Sequence, residues 1–279
     1  MSANQRESTE NLTGVIETLT ITLYSRYLET GRTDSLFQDP KAVEIVEKVD
    51  YDFDKYAKGW ASQLGVIIRV KEFDRIVQNF ADANPNAIIV NLGCGLCTRA
   101  TRINSGSIRW YEIDFPEAIE FRRKFFEESD RDRFIAKSIL DFTWIDEIER
   151  SPNQPLLIVM EGVSPYLSEL ENKSIVGEIR DRLAPTDFVF DVLNRKSAKN
   201  TKGHDTVSKT DAEFQFGIDK GKEIENWGTR IKLKDEIYYL EQFPSHPQRL
   251  PFWARYLSFI LVRVFKNSAR ILHLQIAKD

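Results

Sequence analysis

The stretch Ile88-Ile89-Val90-Asn91-Leu92-Gly93-Cys94-Gly95, followed by Tyr111-Glu112-Ile113-Asp114-Phe115-Pro116, constrains this chain more than any other. A short apolar run feeds a Gly-x-Gly turn, and a second apolar run ends on an acid 19 residues beyond Gly95. A βαβ unit that holds a nucleoside has this pattern. Its glycines let the backbone approach the ligand, and its carboxylate accepts hydrogen bonds from the ribose hydroxyls. A dinucleotide fingerprint would place a third glycine at position 98, where this chain has Thr98. Without that pyrophosphate cradle the motif points away from NAD and towards S-adenosylmethionine, which carries no phosphate.

The 279 residues suffice to bury a full core. A net charge of −4 argues against a dominant nucleic-acid-binding surface. No apolar segment follows a basic start, so no signal peptide is expected. The apolar run Leu257-Ser258-Phe259-Ile260-Leu261-Val262 is flanked by Arg255 and Arg263 and is too short to span a bilayer. A cytoplasmic enzyme without nucleic-acid or membrane partners is the resulting expectation, with the oligomeric state left open. The two cysteines form a C-x-x-C, Cys94 and Cys97, at the mouth of a helix. A dithiol redox site uses that spacing, but so does a tight turn that needs small residues. The three histidines, His204, His246 and His273, are scattered, and Asp191 and Asn194 make no convincing set, so no metal is expected.

Residues 1–10 are polar and expected to be disordered. From Asn11, the spacing of Leu12, Val15, Ile16, Leu19, Leu23 and Tyr27 predicts a helix to about Glu29. Further helices are predicted from Asp39-Pro40 and over residues 64–81, the three together forming an N-terminal cap. Strands and helices then alternate. Strands are predicted at residues 88–92, 108–113, within 134–140, at 156–160 and at 188–193, and helices at 96–103, 116–128 and 170–183. Such alternation specifies a doubly wound α/β sheet with its site at the carboxyl ends of the strands. Two more strand candidates, 230–233 and 271–276, flank an amphipathic helix over 251–265. The lysine-rich stretch 195–209 reads as a solvated surface loop, although loops of this kind also cover active sites.

The runs Glu112-Ile113-Asp114-Phe115-Pro116, Asn91-Leu92-Gly93-Cys94-Gly95 and Glu161-Gly162-Val163 with Tyr166-Leu167 resemble one family. It is the leucine carboxyl methyltransferase and polyketide O-methyltransferase family of S-adenosylmethionine-dependent enzymes. The resemblance implies a class I, Rossmann-like methyltransferase: a mainly parallel seven-stranded sheet in one domain over 1–279. Residues 1–84 would be a helical cap, and 85–279 the core with C-terminal substrate-side elements. It also implies roles. Gly93 and Gly95 would turn beneath the methionine part of the cofactor, and Asp114 would hold the ribose. Asp141 and Phe142 would meet the adenine, and Glu161 would lie near the cofactor amino group. Arg69 would pair with the cofactor carboxylate. Each has a structural alternative: Arg69 as a surface charge, Glu161 as a strand end, Asp141 as a helix cap. The lysine that some protein-methylating members carry near the start has no clear match; Ser25 falls about there, with Arg26 beside it. That departure favours a small-molecule hydroxyl or carboxyl acceptor over a protein C-terminus. An NAD or dithiol oxidoreductase and a non-catalytic binding protein are the rivals from other classes. Candidate catalytic helpers are Tyr24, Arg26, Tyr27, Tyr166 and His246, provided that the cap folds over the cleft.

Overall fold

The computed structural model describes residues 6–9, 12–103 and 106–278. Residues 1–5 and 10, in the segment expected to be disordered, and the expected helix start at Asn11 lie outside the described residues. Within that segment, Glu7 and Ser8 instead pair in parallel with Val49 and Asp50. Three helices precede the sheet: α1 (Leu19–Thr30), α2 (Pro40–Lys48) and α3 (Trp60–Ala83). The first begins later than its apolar spacing predicts. Hydroxyls of Thr18 and Thr20 donate to the carbonyls of Val15 (2.6 Å) and Glu17 (2.7 Å), local bonds that compete with a helical start. Asp39 caps α2 by accepting from the Ala42 amide at 3.0 Å, and Pro40 occupies the first helical position.

The remaining elements are β1 (Ile88–Leu92), α4 (Arg99–Arg102), β2 (Arg109–Asp114), α5 (Pro116–Arg122), β3 (Asp132–Ala136), β4 (Leu156–Met160), α6 (Glu169–Arg182), β5 (Thr186–Leu193), α7 (Arg195–Ala198), β6 (Ile231–Ile237), α8 (Phe252–Phe265) and β7 (Ala269–Ile276). Their seven strands make one sheet in the order β3-β2-β1-β4-β5-β7-β6. The first five pair in parallel, and β7 runs antiparallel to both β5 and β6. The chain order reverses between β1 and β4, the switch point at which such sheets open a crevice.

Side chains alternate across the sheet. Ile88, Val90, Leu92, Ile158 and Met160 join one buried cluster with Trp144 and α6; Ile89, Leu157 and Val159 join another with Ile68, Phe73 and Val77 of α3. The third helix is therefore a layer against the sheet as well as a part of the cap. Two predicted helices are shorter than expected. After β1 only four residues are α-helical, because Arg122 reaches in from α5. It donates to the carbonyls of Gly95 (3.1 Å) and Cys97 (2.8 Å), which take no part in a helical ladder. α5 itself ends at Arg122.

Helix α8 departs from ordinary amphipathicity. Small Ala254 and Ser258 point inward, while Phe252, Tyr256, Phe259, Ile260 and Val264 are exposed. No described helix is long and apolar enough to cross a membrane.

Candidate functional site

Four elements deliver polar groups to one place, at the carboxyl ends of β1, β2, β4 and β5. After β1 the backbone turns through Gly93 (φ 68°) and Gly95 (φ 44°), a region that side chains with a Cβ disfavour. A Cβ on Gly93 would stand 2.3 Å from Cγ2 of Val163, so the turn needs glycine on both counts. Asp114 ends β2, and its two carboxylate oxygens accept from the amides of Gly95 and Phe115, each at 2.7 Å. Burial pushes its carboxyl up to about 6, although both amide bonds act in the opposite direction. A cavity of about 320 Å³ lies over these groups. Its walls include Gly93, Gly95, Asp114, Ile139, Leu140, Glu161 and Tyr166.

A charge network closes the far end of this cavity. Glu161, just beyond β4, accepts from Arg69 Nε at 3.1 Å and from Arg99 Nη2. Burial opposes its ionisation, but Arg99 and Arg69 hold its carboxyl down at about 2. Arg69 also reaches Asp191 at 3.1 Å, and Asp191 accepts from the Gly162 amide at 2.6 Å. Arg99 continues to Asp74 at 2.7 Å, and Arg102 links Asp74 (2.9 Å) to Asp39 (3.0 Å). Thr98, which stands where a dinucleotide site has glycine, donates to Asp39 at 2.5 Å and is buried. Among these groups four arginines (26, 69, 99, 102) face four acids (39, 74, 161, 191), so the buried charge balances.

A second cavity of about 510 Å³ adjoins the first and shares Arg69, Gly162 and Tyr166 with it. Aromatic rings dominate its wall: Trp60, Tyr166, Phe214, Tyr239, Phe243 and Trp253. The inner side of α8 closes it with Ala254 and Ser258. His204 lies on this wall, its ring edge-on to Phe214 at 5.5 Å, while Phe214 meets Tyr166 at 5.4 Å. The lysine-rich stretch therefore divides. Its lysines are exposed, and residues 203–207 line the cavity.

The residues expected to act together are sorted by this arrangement. Gly93, Gly95, Asp114, Arg69 and Glu161 surround the first cavity. Asp141 does not line it: it is exposed and caps the following 3₁₀ turn by accepting from the Thr143 amide at 3.2 Å. Phe142 likewise lies off the wall and packs on the core, whereas Ser138, Ile139 and Leu140 face the cavity. Tyr166 lines both cavities, and burial pushes its phenol up to about 12. Arg26 reaches the first cavity but is held by Asp39 (2.8 Å), Thr98 (2.5 Å) and the Leu96 carbonyl (2.8 Å). Tyr24 stacks on Tyr27 and Phe53 and faces neither cavity, nor does Tyr27. His246 sits beyond both walls, its imidazole pushed down by burial and by Arg249. Cys94 is buried and Cys97 half-buried, both as free thiols, and burial drives the Cys94 thiol well above its ordinary value. A thiol held protonated is a poor redox nucleophile. Among the described residues no three His, Cys, Asp or Glu side chains gather as a metal set.

The strand order, the glycine turn over an acid and the adjoining cavities define a class I methyltransferase, whose cofactor is S-adenosylmethionine. Solved structures agree on the fold. A Thermobifida fusca protein assigned as a methyltransferase superposes with a TM-score of 0.57 at 17% identity, over 91% of this chain and 94% of its own. Geranyl diphosphate methyltransferase in complex with S-adenosylmethionine superposes with a TM-score of 0.52 at 11% identity, over 79% and 91%. In sequence, residues 20–180 match the leucine carboxyl methyltransferase family. The tetracenomycin polyketide synthesis O-methyltransferase TcmP of Streptomyces glaucescens is 30% identical over 84% of this chain and 86% of its own. The S-adenosylmethionine-dependent methyltransferase dpfgK of Gibberella zeae is 25% identical over 83% and 85%. The chain belongs to the leucine carboxyl methyltransferase family, as its nucleoside and strand-end motifs had suggested. It is an S-adenosylmethionine-dependent methyltransferase, not an oxidoreductase.

Proposed function

We propose that this enzyme is a cytoplasmic O-methyltransferase of small aromatic molecules bearing a hydroxyl or carboxyl group. One observation carries the reading: a cavity lined with aromatic rings opens against the cofactor-sized one, with Thr18, Thr22, Arg69, Gly162 and Tyr166 as common wall. A protein C-terminus would bring a polar backbone as well as a carboxylate into a chamber whose wall is mostly apolar. Planar ring walls favour a planar guest.

The donor set of the first cavity fits the cofactor. Asp114 spends one acceptor direction of each oxygen on a backbone amide and keeps lone pairs for two ribose hydroxyls. Gly93 and Gly95 admit the methionine part, and Ile139 with Leu140 offers an apolar face to the adenine, a role assigned by sequence to Asp141 and Phe142. Glu161 and Arg69 present opposite charges to the amino-acid end. When bound, the cofactor supplies an electrophilic methyl sulfonium. The work left to the protein is to orient the acceptor oxygen and to keep water away. A carboxylate acceptor needs no proton removed near neutral pH, whereas a phenol does.

Calorimetry tests the cofactor half: S-adenosylhomocysteine binds in the micromolar range, about −8 kcal/mol, and NAD does not compete. NAD binding more tightly than S-adenosylhomocysteine overturns the reading. A methyl-transfer screen of aromatic phenols and carboxylic acids, read by mass spectrometry, tests the acceptor half.

A further inference from the structure

The wall of the second cavity is mostly apolar, so any polar atom that faces it without a partner selects what binds there. His204 is one of the polar residues on that wall. The Val207 amide donates to its Nδ1 at 3.3 Å and the Thr206 hydroxyl stands 3.3 Å from the same atom, while the Ser62 oxygen and Asp205 Oδ1 lie at 3.5 and 3.8 Å. A backbone amide only donates, so Nδ1 is an acceptor and carries no proton. The Ser62 hydroxyl is committed as donor to Asp205, which also accepts from the Ser62 amide at 3.3 Å. That network holds the segment 204–206 against α3. The proton of a neutral imidazole then resides on Nε2. Nε2 has no hydrogen-bond partner among the described residues. Burial and the nearby Arg69 push the imidazole down despite Asp205, so it stays neutral.

Resting on the methyltransferase reading above, we infer that the second cavity is the acceptor site for a fused-ring aromatic molecule, one oxygen of which accepts the Nε2–H of His204. The rings of Trp60, Phe243 and Trp253 bind the apolar body of that molecule chiefly by area, in any of several orientations. The Nε2–H of His204 favours one of them, because misplacing the oxygen forfeits that hydrogen bond. His204 is thus a positioning and specificity residue. Its tautomer makes it a donor to the acceptor molecule, not the base that takes its proton.

The chain has three histidines, so long-range ¹H–¹⁵N correlation spectra with His204→Gln for assignment resolve each ring. At pH 7.5 His204 shows an unprotonated Nδ1 and a protonated Nε2; a protonated Nδ1 or a charged ring overturns the inference. Binding is measured by tryptophan fluorescence with two probes of one shape, 1-acetonaphthone and 1-isopropenylnaphthalene. The wild type prefers the ketone by about fivefold, the scale of one neutral hydrogen bond. His204→Leu binds the two probes equally, and His204→Gln, whose amide donates from the same reach, keeps the preference. Failure of the wild type to bind the ketone, no preference in it, or a preference that survives in the leucine variant overturns the proposal. S-adenosylhomocysteine is titrated into the same three proteins and binds all alike; its failure to bind the wild type counts against the methyltransferase reading instead.

Discussion

Burial places the Asp114 carboxyl at about 6, within reach of ordinary buffers, and this gives the residue two pH signatures of opposite sign. As pH falls through 6 the carboxyl takes up a proton and loses the charge that, in the proposed cofactor site, would strengthen bonds to the ribose hydroxyls. Affinity for S-adenosylhomocysteine accordingly drops below pH 6 in the wild type and stays flatter in Asp114→Asn. At pH 7.5, Asp114→Ala binds at least tenfold more weakly, charge-assisted bonds being worth roughly 1.5–3 kcal/mol each, and Asp114→Asn falls between. The unligated fold responds the other way. Between the unfolded value near 4 and the folded value near 6, only the folded chain holds the proton, so this group's contribution to stability falls as pH rises. Asp114→Asn loses one of the two amide bonds at every pH but also loses this titration, so the stability of the wild type relative to the variant falls as pH rises towards 6, as urea titrations will show. An unchanged pH profile in the asparagine variant removes Asp114 from the ribose site. Gly93, Gly95 and Asp114 were legible in the sequence because a fixed spacing ties them to backbone geometry. His204 was not, since a lone histidine among lysines and hydroxyl residues has no periodicity, and its neighbours Ser62 and Phe214 are remote in sequence. Asp191 was weighed only as a metal ligand; its partner Arg69 is 122 residues away.

The turn between β1 and α4 fits because Val163, from the segment after β4, fills the space that a side chain at position 93 would need. Gly93→Ala pays for both faults. The left-handed backbone alone costs about 1–2 kcal/mol, and the contact with Val163 adds to it. In urea denaturation the double variant Gly93→Ala, Val163→Ala loses less than the sum of its single variants; strict additivity would show that the two residues do not touch. Strands were the most legible elements. β1 and β4 are covered on both faces and read as unbroken apolar runs, Ile88–Leu92 and Leu156–Met160. Helix lengths were less so. Arg122 intercepts carbonyls of the Gly95–Cys97 turn from another element, and no local pattern announces that. For α8 the apolar spacing foretold a helix but not its orientation, since most of its large side chains are exposed while Ala254 and Ser258 face inward.

At the scale of the molecule, the doubly wound sheet sets two cavities side by side, and the glycine turn and strand-end acid on the wall of the first were the part that sequence could place. The second cavity draws on α1, α3, the segment 203–207, the region after β6 and α8, whose proximity is a property of the tertiary fold alone. Stability should register the first half directly: S-adenosylhomocysteine at 100 times its dissociation constant raises unfolding free energy by about 2.7 kcal/mol, and NAD at the same concentration leaves the melting temperature unchanged. A thermal shift with NAD alone would contradict the site. The common wall has a further consequence. Arg69 is tethered to Glu161 on the side of one cavity and to Asp191 on the side of the other, so a guest that tugs on either carboxylate changes what the second guest meets. The two occupants are then thermodynamically linked, and linkage is reciprocal: whatever factor the cofactor imposes on the aromatic guest, the guest imposes on the cofactor. Titrating S-adenosylhomocysteine with and without saturating 1-acetonaphthone measures that factor. It departs from unity in the wild type and returns towards unity in Arg69→Met, where the shared guanidinium no longer carries word from one chamber to the next.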